Sequence, residues 1–444
     1  MLIKEKITEK LLHEYSPTKV IFLGFCLIIL LGTILLTLPI SVKEGQEISV
    51  MTSFFTATSA TCVTGLIRAD TYTNWTWFGQ LVIISLIQIG GIGFMTLCIY
   101  ILTLAKKKIG FLTRSIMQNS ISSPQVGGIV KITKFIVVKT LIIEGIGAFL
   151  LALVFCRQFG LAKGIWFAIF HSISAFCNAG FDLMGTIEPF NSLVSYQDNW
   201  YVNLIIMSLI VIGGLGFLVW KDMIDSRFSF RKMRLHTKLV LTVTLILIFG
   251  GTFLVYIFEQ GNATILESMF QSVTARTAGF NSVDLSKIRE TTQVILIILM
   301  FVGGSSGSTA GGIKTTTAAV LIVNIVNLFK QRKAVEVYHR RISDEIIKTA
   351  SIVLMIYLIL TVSVALVICH IDQVPFVASL FETVSAMATV GLTVGITTSL
   401  SVVSQCLLAL LMIIGRVGSI TFLLAFASNR PVPSKAAAEK IQIG

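Results

Sequence analysis

Long apolar runs constrain this chain more than any other feature. They lie near residues 20–38, 78–104, 135–156, 201–220, 239–258, 293–303 with a continuation at 316–329, 347–370 and 402–427. About 20 such residues cross a bilayer as one helix, whereas about 10 to 14 do not. Shorter amphiphilic segments near 48–60, 164–176, 263–275 and 375–387 separate the long runs in pairs. The order long, short, long, met four times, predicts four units of helix, half-length helix, helix. Composition agrees: 13% of residues are charged, against about 25% in soluble domains, which excludes a water-soluble globular protein. Met1 to Lys19 is too polar and long for a cleavable signal ahead of a soluble domain.

The formal net charge of +13 would suggest nucleic acid in a soluble protein, but the placement of the charges turns that reading down. Of 35 Lys and Arg, 26 fall in five segments: four before residue 20, seven between 106 and 139, six between 221 and 238, six between 330 and 348, and three in the tail. The positive-inside rule puts both termini and all three linkers in the cytoplasm. Each short segment then enters the membrane from outside as a re-entrant hairpin. The seven cysteines include no Cys-x-x-Cys pair and read as reduced apolar residues.

Aligning the short segments reveals a repeat. Val63-Thr64-Gly65-Leu66, Asn178-Ala179-Gly180-Phe181, Thr277-Ala278-Gly279-Phe280 and Thr389-Val390-Gly391-Leu392 each follow the half-length helix. Phe55, Phe170, Met269 or Phe381 stands ten residues before the glycine, and Ser59-Ala60, Ser174-Ala175, Val273-Thr274 or Ser385-Ala386 stands six and five before it. Irregular backbone at membrane depth is tolerated only where it is buried or lines a watery path. Glycine permits a turn whose carbonyls face inward and replace the water of a dehydrated cation. The predicted site is therefore a cation filter built from four loops, with Asp70, Asp182 and Asp284 just outside, either as solvated loop acids or as a mouth that concentrates cations.

The residues from Thr58 to Leu66, Ser174 to Phe181, Arg276 to Asn281 and Thr389 to Thr393 resemble the four pore loops of the TrkH/KtrB/HKT superfamily, most closely KtrB-type subunits of bacterial Ktr potassium uptake systems. The likeness runs from about Val20 to Ala427. It implies an all-α polytopic membrane protein with four helix–pore loop–helix repeats in pseudo-fourfold arrangement around one pore, and K+ at the filter carbonyls. Gly65 is intact where Na+-preferring plant members carry serine, so the resemblance implies K+ as the preferred ion. It further implies a homodimer in the bilayer, regulated by a separate cytosolic KtrA-type ring. Nothing in this chain reads as a nucleotide-binding domain, so nucleotide is expected only on that partner. The expected organisation is a cytoplasmic N-terminus (1–19), repeat 1 (20–105), a linker (106–134), repeat 2 (135–220), a linker (221–238), repeat 3 (239–329), a linker (330–346), repeat 4 (347–427) and a cytoplasmic tail (428–444).

A glycine cluster recurs in each second span: Gly90-Gly91-Ile92-Gly93, Gly213-Gly214-Leu215-Gly216, Gly303-Gly304 and Gly415-Arg416-Val417-Gly418. Three are expected to serve close helix packing. The third opens into Gly303-Gly304-Ser305-Ser306-Gly307-Ser308-Thr309-Ala310-Gly311-Gly312-Ile313-Lys314, which cannot continue a stable helix. Its place below the filter makes it a candidate gate, and the family has a gate loop at the matching position. Gly307 to Lys314 resembles a phosphate-binding loop, but Ile313 stands where that pattern needs lysine.

Lys314 and Arg416 interrupt apolar runs, and ionisable groups inside a membrane are functional by default. Lys314 is expected either to snorkel to the cytoplasmic surface or to join the gate, and Arg416 to act as an electrostatic barrier held by gate-loop oxygens. Arg276 and Glu382 flank filters three and four and are expected to pair, since each alone would be a costly buried charge. His171 reads as a hydrogen-bonded structural residue. Channel-like K+ uptake driven by membrane potential is preferred over a Na+- or H+-coupled symporter, which usually shows inverted repeats and midplane carboxylates. An enzyme is not expected, because no catalytic set of Ser/His/Asp or metal-binding type is present.

Overall fold

The computed structural model describes residues 17–105, 114, 117–118, 128–332, 334–419 and 422. The expected N-terminal segment before residue 17, most of the first linker and the tail 428–444 lie outside the described residues. The molecule is a polytopic all-helical membrane protein. Helices α1 (Pro17–Thr37), α2 (Val50–Cys62), α3 (Trp77–Ile92) and α4 (Phe94–Leu104) come first, followed by α5 (Ile129–Phe159), α6 (Leu161–Cys177), α7 (Trp200–Leu215) and α8 (Phe217–Asp225). The third group is α9 (Leu235–Phe258), α10 (Ile265–Thr274), α11 (Glu290–Phe301) and α12 (Thr315–Phe329). The fourth is α13 (Asp344–Asp372), α14 (Phe376–Met387) and α15 (Val402–Val417). A two-stranded hairpin, β1 (Glu336–Val337) with β2 (Arg340–Arg341), joins α12 to α13.

Helices α1, α5, α9 and α13 are long and apolar enough to cross a membrane. Each leaves large apolar side chains more than half exposed, such as Leu27, Phe149, Phe249 and Ile359, as a lipid-facing helix must. The half-length helices are the reverse: the last ten residues of α2, from Ser53 to Cys62, are buried almost without exception, hydroxyls included. Side-chain oxygens satisfy the first free amides of two of them: Ser49 accepts from Thr52 N ahead of α2, and Thr264 forms a capping box with Glu267 at α10.

The second helices differ from expectation. The runs 78–104 and 201–220 do not cross as single rods: α3 and α4 meet at 92° and α7 and α8 at 88°. The bends fall on Gly93 (φ +88°) and Gly216 (φ +100°), and Gly418 (φ +95°) ends α15 in the same way. Side chains rarely adopt that conformation, so glycine is needed there. The break expected only in the third repeat is thus shared, and the third repeat has enlarged it. At about 1.5 Å per residue the 16-residue helices α3 and α7 reach only about 24 Å, short of the roughly 30 Å hydrocarbon core.

Those outer half-helices close the architecture. Helix α3 packs on α6, α7 on α10, α11 on α14, and α15 on α2, so each repeat leans on the next one's half-length helix and the last leans on the first. The four half-length helices are thereby held in one ring.

Candidate ion pathway

At the end of each half-length helix the backbone turns left-handed. Val63, Asn178, Thr277 and Thr389 have φ of +56°, +59°, +75° and +51°, and Gly65, Gly180, Gly279 and Gly391, two residues on, have +95°, +70°, +82° and +91°. The residue between each pair keeps negative φ, so all four loops share one alternating trace. A serine or threonine of the preceding helix fixes each loop, in two ways. Ser59 Oγ accepts from Gly65 N (3.0 Å) and Ser385 Oγ from Gly391 N (3.1 Å). Ser174 Oγ instead donates to Phe181 O (2.7 Å) and Thr274 Oγ1 to Phe280 O (2.7 Å).

The glycines form a closed cycle. A β-carbon placed on Gly65 would fall 2.4 Å from Ala179 O; on Gly180, 2.7 Å from Ala278 O; on Gly279, 2.5 Å from Val390 O; and on Gly391, 2.1 Å from Thr64 O. Every glycine thus lies against a backbone carbonyl of the following repeat, and the fourth returns to the first. The buried hydroxyls of Thr64, Thr277 and Thr389, all in these loops, find no hydrogen-bond partner among the described residues. All twelve expected filter residues, Val63, Thr64, Gly65, Asn178, Ala179, Gly180, Thr277, Ala278, Gly279, Thr389, Val390 and Gly391, therefore belong to one ring of loops.

The glycine clusters divide two tasks. Their last glycines make the bends, and the first ones press on the half-length helices: a β-carbon at Gly90, Gly213 or Gly415 would lie 2.0 Å from Thr61 O, Phe176 O or Met387 O. In the third repeat a β-carbon at Gly303 would lie 3.0 Å from Thr277 Cγ2 and 2.4 Å from Gly311 O. Residues Gly303 to Gly312 form a loop folded on itself, with Gly303 N donating to Ile313 O (2.9 Å) and Thr315 N to Gly304 O (3.0 Å). It is anchored to the second repeat, at the break by Ser305 N donating to Gly214 O and Phe217 N to Gly307 O, and at α6 by Thr309 Oγ1 donating to Phe176 O. Ser308 Oγ donates to Ser305 O, and Ser306 meets Thr316 through their hydroxyls. Its far side abuts the ring, since a β-carbon on Gly311 would strike Thr389 Oγ1 and Ala388 O.

Two cations hold this loop. Lys314 Nζ donates to Ala310 O (2.7 Å) and Gly311 O (3.4 Å), so it turns back to the loop it follows. Arg416, in the last turn of α15, donates to Thr309 O in the loop and to Gly90 O and Gly91 O at the end of α3. Helix C-termini carry partial negative charge and favour such a cation.

The expected Arg276–Glu382 pair is not formed. Arg276 donates to Thr244 Oγ1 (3.3 Å), while Glu382 accepts from Thr393 Oγ1 and from Thr397 Oγ1 (2.8 Å). Glu382 thus has two hydroxyl partners from the segment after its own loop, and Arg276 has one on α9. The three acids also separate. Asp70 is buried and ties two repeats together, accepting from Thr73 N (2.7 Å) and Phe190 N (3.1 Å); Asp182 is buried and accepts from Met184 N. Neither is a solvated loop acid, since both are buried and accept from backbone amides. Asp284 is accessible beside Lys287 (2.9 Å), and the Ser286 hydroxyl, ahead of Lys287, holds its carboxyl below the ordinary value. It lines an outer hollow of about 470 Å³ with Ile67, Glu188, Asn281 and Thr393, residues that follow all four ring glycines.

His171 is structural as expected, with Nδ1 2.7 Å from Phe167 O and Nε2 accepting from Leu183 N. One residue escapes the reading of the sequence: Glu144, midway along α5 and 4% exposed, accepts from Gln88 Nε2 (2.9 Å) beside Cys177, next to ring residue Asn178. An acid in the centre of the run 135–156 is the signal that could have found it.

Four re-entrant loops from one polypeptide, meeting in a glycine ring beneath an outer hollow, define the class of integral membrane proteins with a single pseudo-fourfold pathway. Residues 16–437 match the TrkH family model, described as a cation transport protein, and the chain belongs to that family, in its KtrB-type branch. It is 39% identical to Ktr system potassium uptake protein B of Bacillus subtilis, with 94% of each chain covered. It is 38% identical to the potassium/sodium uptake protein NtpJ of Enterococcus hirae, covering 97% of this chain and 96% of that one. Its fold is similar to the crystal structure of the potassium transporter TrkH from Vibrio parahaemolyticus, with a TM-score of 0.70 at 18% identity over 91% of this chain and 84% of the other.

Proposed function

We propose that this chain takes up K+ across the cell membrane through the glycine ring, with both termini in the cytoplasm. The observation that carries the reading is the closed cycle in which each ring glycine rests on a carbonyl of the next repeat. It gathers backbone carbonyls from all four loops around one axis, where they can replace the hydration shell of a cation. Relatives named for potassium uptake over nearly the whole chain support K+ as the ion. An inside-negative potential contributes about 2.3 kcal/mol per charge per 100 mV.

In this reading Gly303 to Gly312 is the gate. Arg416 and Lys314 latch it: the guanidinium joins loop to α3, and the ammonium adds positive charge below the ring. A separate cytosolic nucleotide-binding partner releases the latch, and two copies of the chain form the membrane unit. A second reading, coupling to H+ or Na+, is favoured by Glu144, a buried carboxylate at mid-span.

The test is flux of K+, rubidium and Na+ into liposomes, with and without the cytosolic partner and with Na+ withheld in one arm. K+ flux that collapses the applied potential is expected. No K+ flux in any arm overturns the proposal, and a fixed H+:K+ or Na+:K+ ratio moves it to the second reading.

A further inference from the structure

The second and third repeats build the same joint between their long helix, half-length helix and second helix. Ser172 Oγ on α6 donates to Glu144 O on α5 (2.7 Å), as Ser272 Oγ on α10 donates to Ile248 O on α9 (2.9 Å). Three residues further along each long helix stands a glycine, Gly147 or Gly251, whose added β-carbon would strike that same serine and then Leu209 or Leu299. The joint therefore closes around an isoleucine as well as around a glutamate. A carboxylate at Glu144, 4% exposed, is not needed to build it, and a buried polar group is costly unless it is bonded.

What Glu144 adds is a bond to the first repeat. Its Oε2 accepts from Gln88 Nε2 (2.9 Å) on α3, and the Cys177 thiol lies 3.8 Å from its Oε1 and 3.7 Å from Gln88 Oε1. Among the described residues no ion pair includes Glu144. Gln88 stands two residues before Gly90, where Val211 stands two before Gly213 on α7. The places that hold Gln88 and Glu144 in one joint thus hold Val211 and Ile248 in the next. The polar pair belongs to the joint on which Arg416 docks: Gly90 O and Gly91 O take its guanidinium, which also donates to Thr309 O in the loop. Gly91 rests on Cys177, since a β-carbon there would fall 2.5 Å from Sγ.

The loop is held to the second repeat by its own bonds to Gly214 O and Phe176 O. The second repeat therefore sets both ends of the span that Arg416 bridges, the loop through those bonds and α3 through Glu144. We infer that Glu144 is a positioning residue for the gate, a role that rests on reading Gly303 to Gly312 as that gate. Through Gln88 it fixes the last turn of α3, so that one guanidinium can hold helix and loop together.

The test is rubidium uptake into liposomes by the full-length chain, with and without the cytosolic partner, beside Tm and the K+/Na+ ratio. Glu144→Ile introduces the side chain that the third repeat carries, and Gln88→Val cuts the same bond from its other end, so that either variant reads the bond should the other fail to fold. Each is expected to raise partner-free uptake about tenfold, equivalent to about 1.4 kcal/mol, at an unchanged K+/Na+ ratio. Glu144→Gln, which keeps an acceptor for Gln88, should stay near the native level. Arg416→Gln added to either variant should give no further rise, because both release one latch. Native partner-free uptake in the folded variants overturns the inference, as does a multiplicative rise on adding Arg416→Gln. A Glu144→Gln variant as leaky as Glu144→Ile also overturns it. No uptake by the native chain in either arm is a different result, which strikes the proposed function itself.

Discussion

Adding one methyl group to the ring separates backbone strain from ring geometry. In Gly391→Ala the new β-carbon would lie 2.1 Å from Thr64 O and 2.9 Å from Gly65 Cα, at φ +91°. Side chains do not approach within 3.0 Å, so the Thr64 carbonyl must retreat by roughly 1 Å from its place on the first loop. A left-handed backbone costs a non-glycine residue about 1–2 kcal/mol in addition. Gly395 supplies the control: its φ is +96°, yet a β-carbon there meets nothing within 4 Å. Gly395→Ala carries the strain without the clash. The expected outcome is that Gly395→Ala lowers Tm by a few degrees and keeps its preference for K+. Gly391→Ala reduces K+ over Na+ flux at least tenfold, equivalent to about 1.4 kcal/mol, because one carbonyl of the cage has moved. Rubidium and sodium uptake into liposomes, measured beside Tm, reads both. Equal selectivity in the two variants, whether retained or lost, would refute the idea that the glycine-on-carbonyl cycle sets discrimination.

Arg416→Gln removes donors from Thr309 O, Gly90 O and Gly91 O. Flux without the cytosolic partner should rise several-fold at unchanged K+/Na+ ratio, and Arg416→Lys should not restore control, since one ammonium cannot reach both helix and loop; unaltered basal flux would count against the latch. Glu382→Gln weakens the hydrogen bonds from Thr393 and Thr397, a loss of about 1.5–3 kcal/mol for bonds to a charged group. Its combination with Arg276→Gln should be additive within about 0.5 kcal/mol in a denaturation cycle, while a larger coupling would point to a direct pair. Glu144→Gln decides the second reading: if uptake and its proton or sodium stoichiometry survive the change, coupling through Glu144 is excluded. Gly216→Ala forces a side chain into φ +100° beside Ser306 O at 2.9 Å, and partner-independent flux should change more than selectivity; the reverse pattern would place the bend in the filter.

The four units and their ring loops are legible because each is written four times, and a glycine held at a fixed distance from a buried helix in every copy points to one shared backbone turn. The bends at Gly93 and Gly216 are not legible, because a G-x-x-G cluster inside an apolar run serves helix packing equally well and hydropathy does not register direction. Both meanings apply, one to each end of the cluster. The Arg276–Glu382 expectation fails on different grounds: counting charges ignores hydroxyls, and Thr244 meets Arg276 while Thr393 and Thr397 meet Glu382. Asp70 and Asp182 look like solvent-facing acids from their position alone, whereas loop packing turns them toward backbone amides. Glu144 is visible in the letters, but the length of an apolar span says nothing of an acid set within it.

The direction of the ring contacts has an evolutionary consequence. In an assembly of four identical subunits, any substitution in the ring occurs four times at once. Here the neighbours are different stretches of one chain, and they already differ: Ser59 and Ser385 accept from a glycine amide, while Ser174 and Thr274 donate to a phenylalanine carbonyl. A single mutation moves one quarter of the cage, felt first by the repeat whose carbonyl it presses. Selectivity in such a chain can therefore be adjusted in small, separately heritable steps.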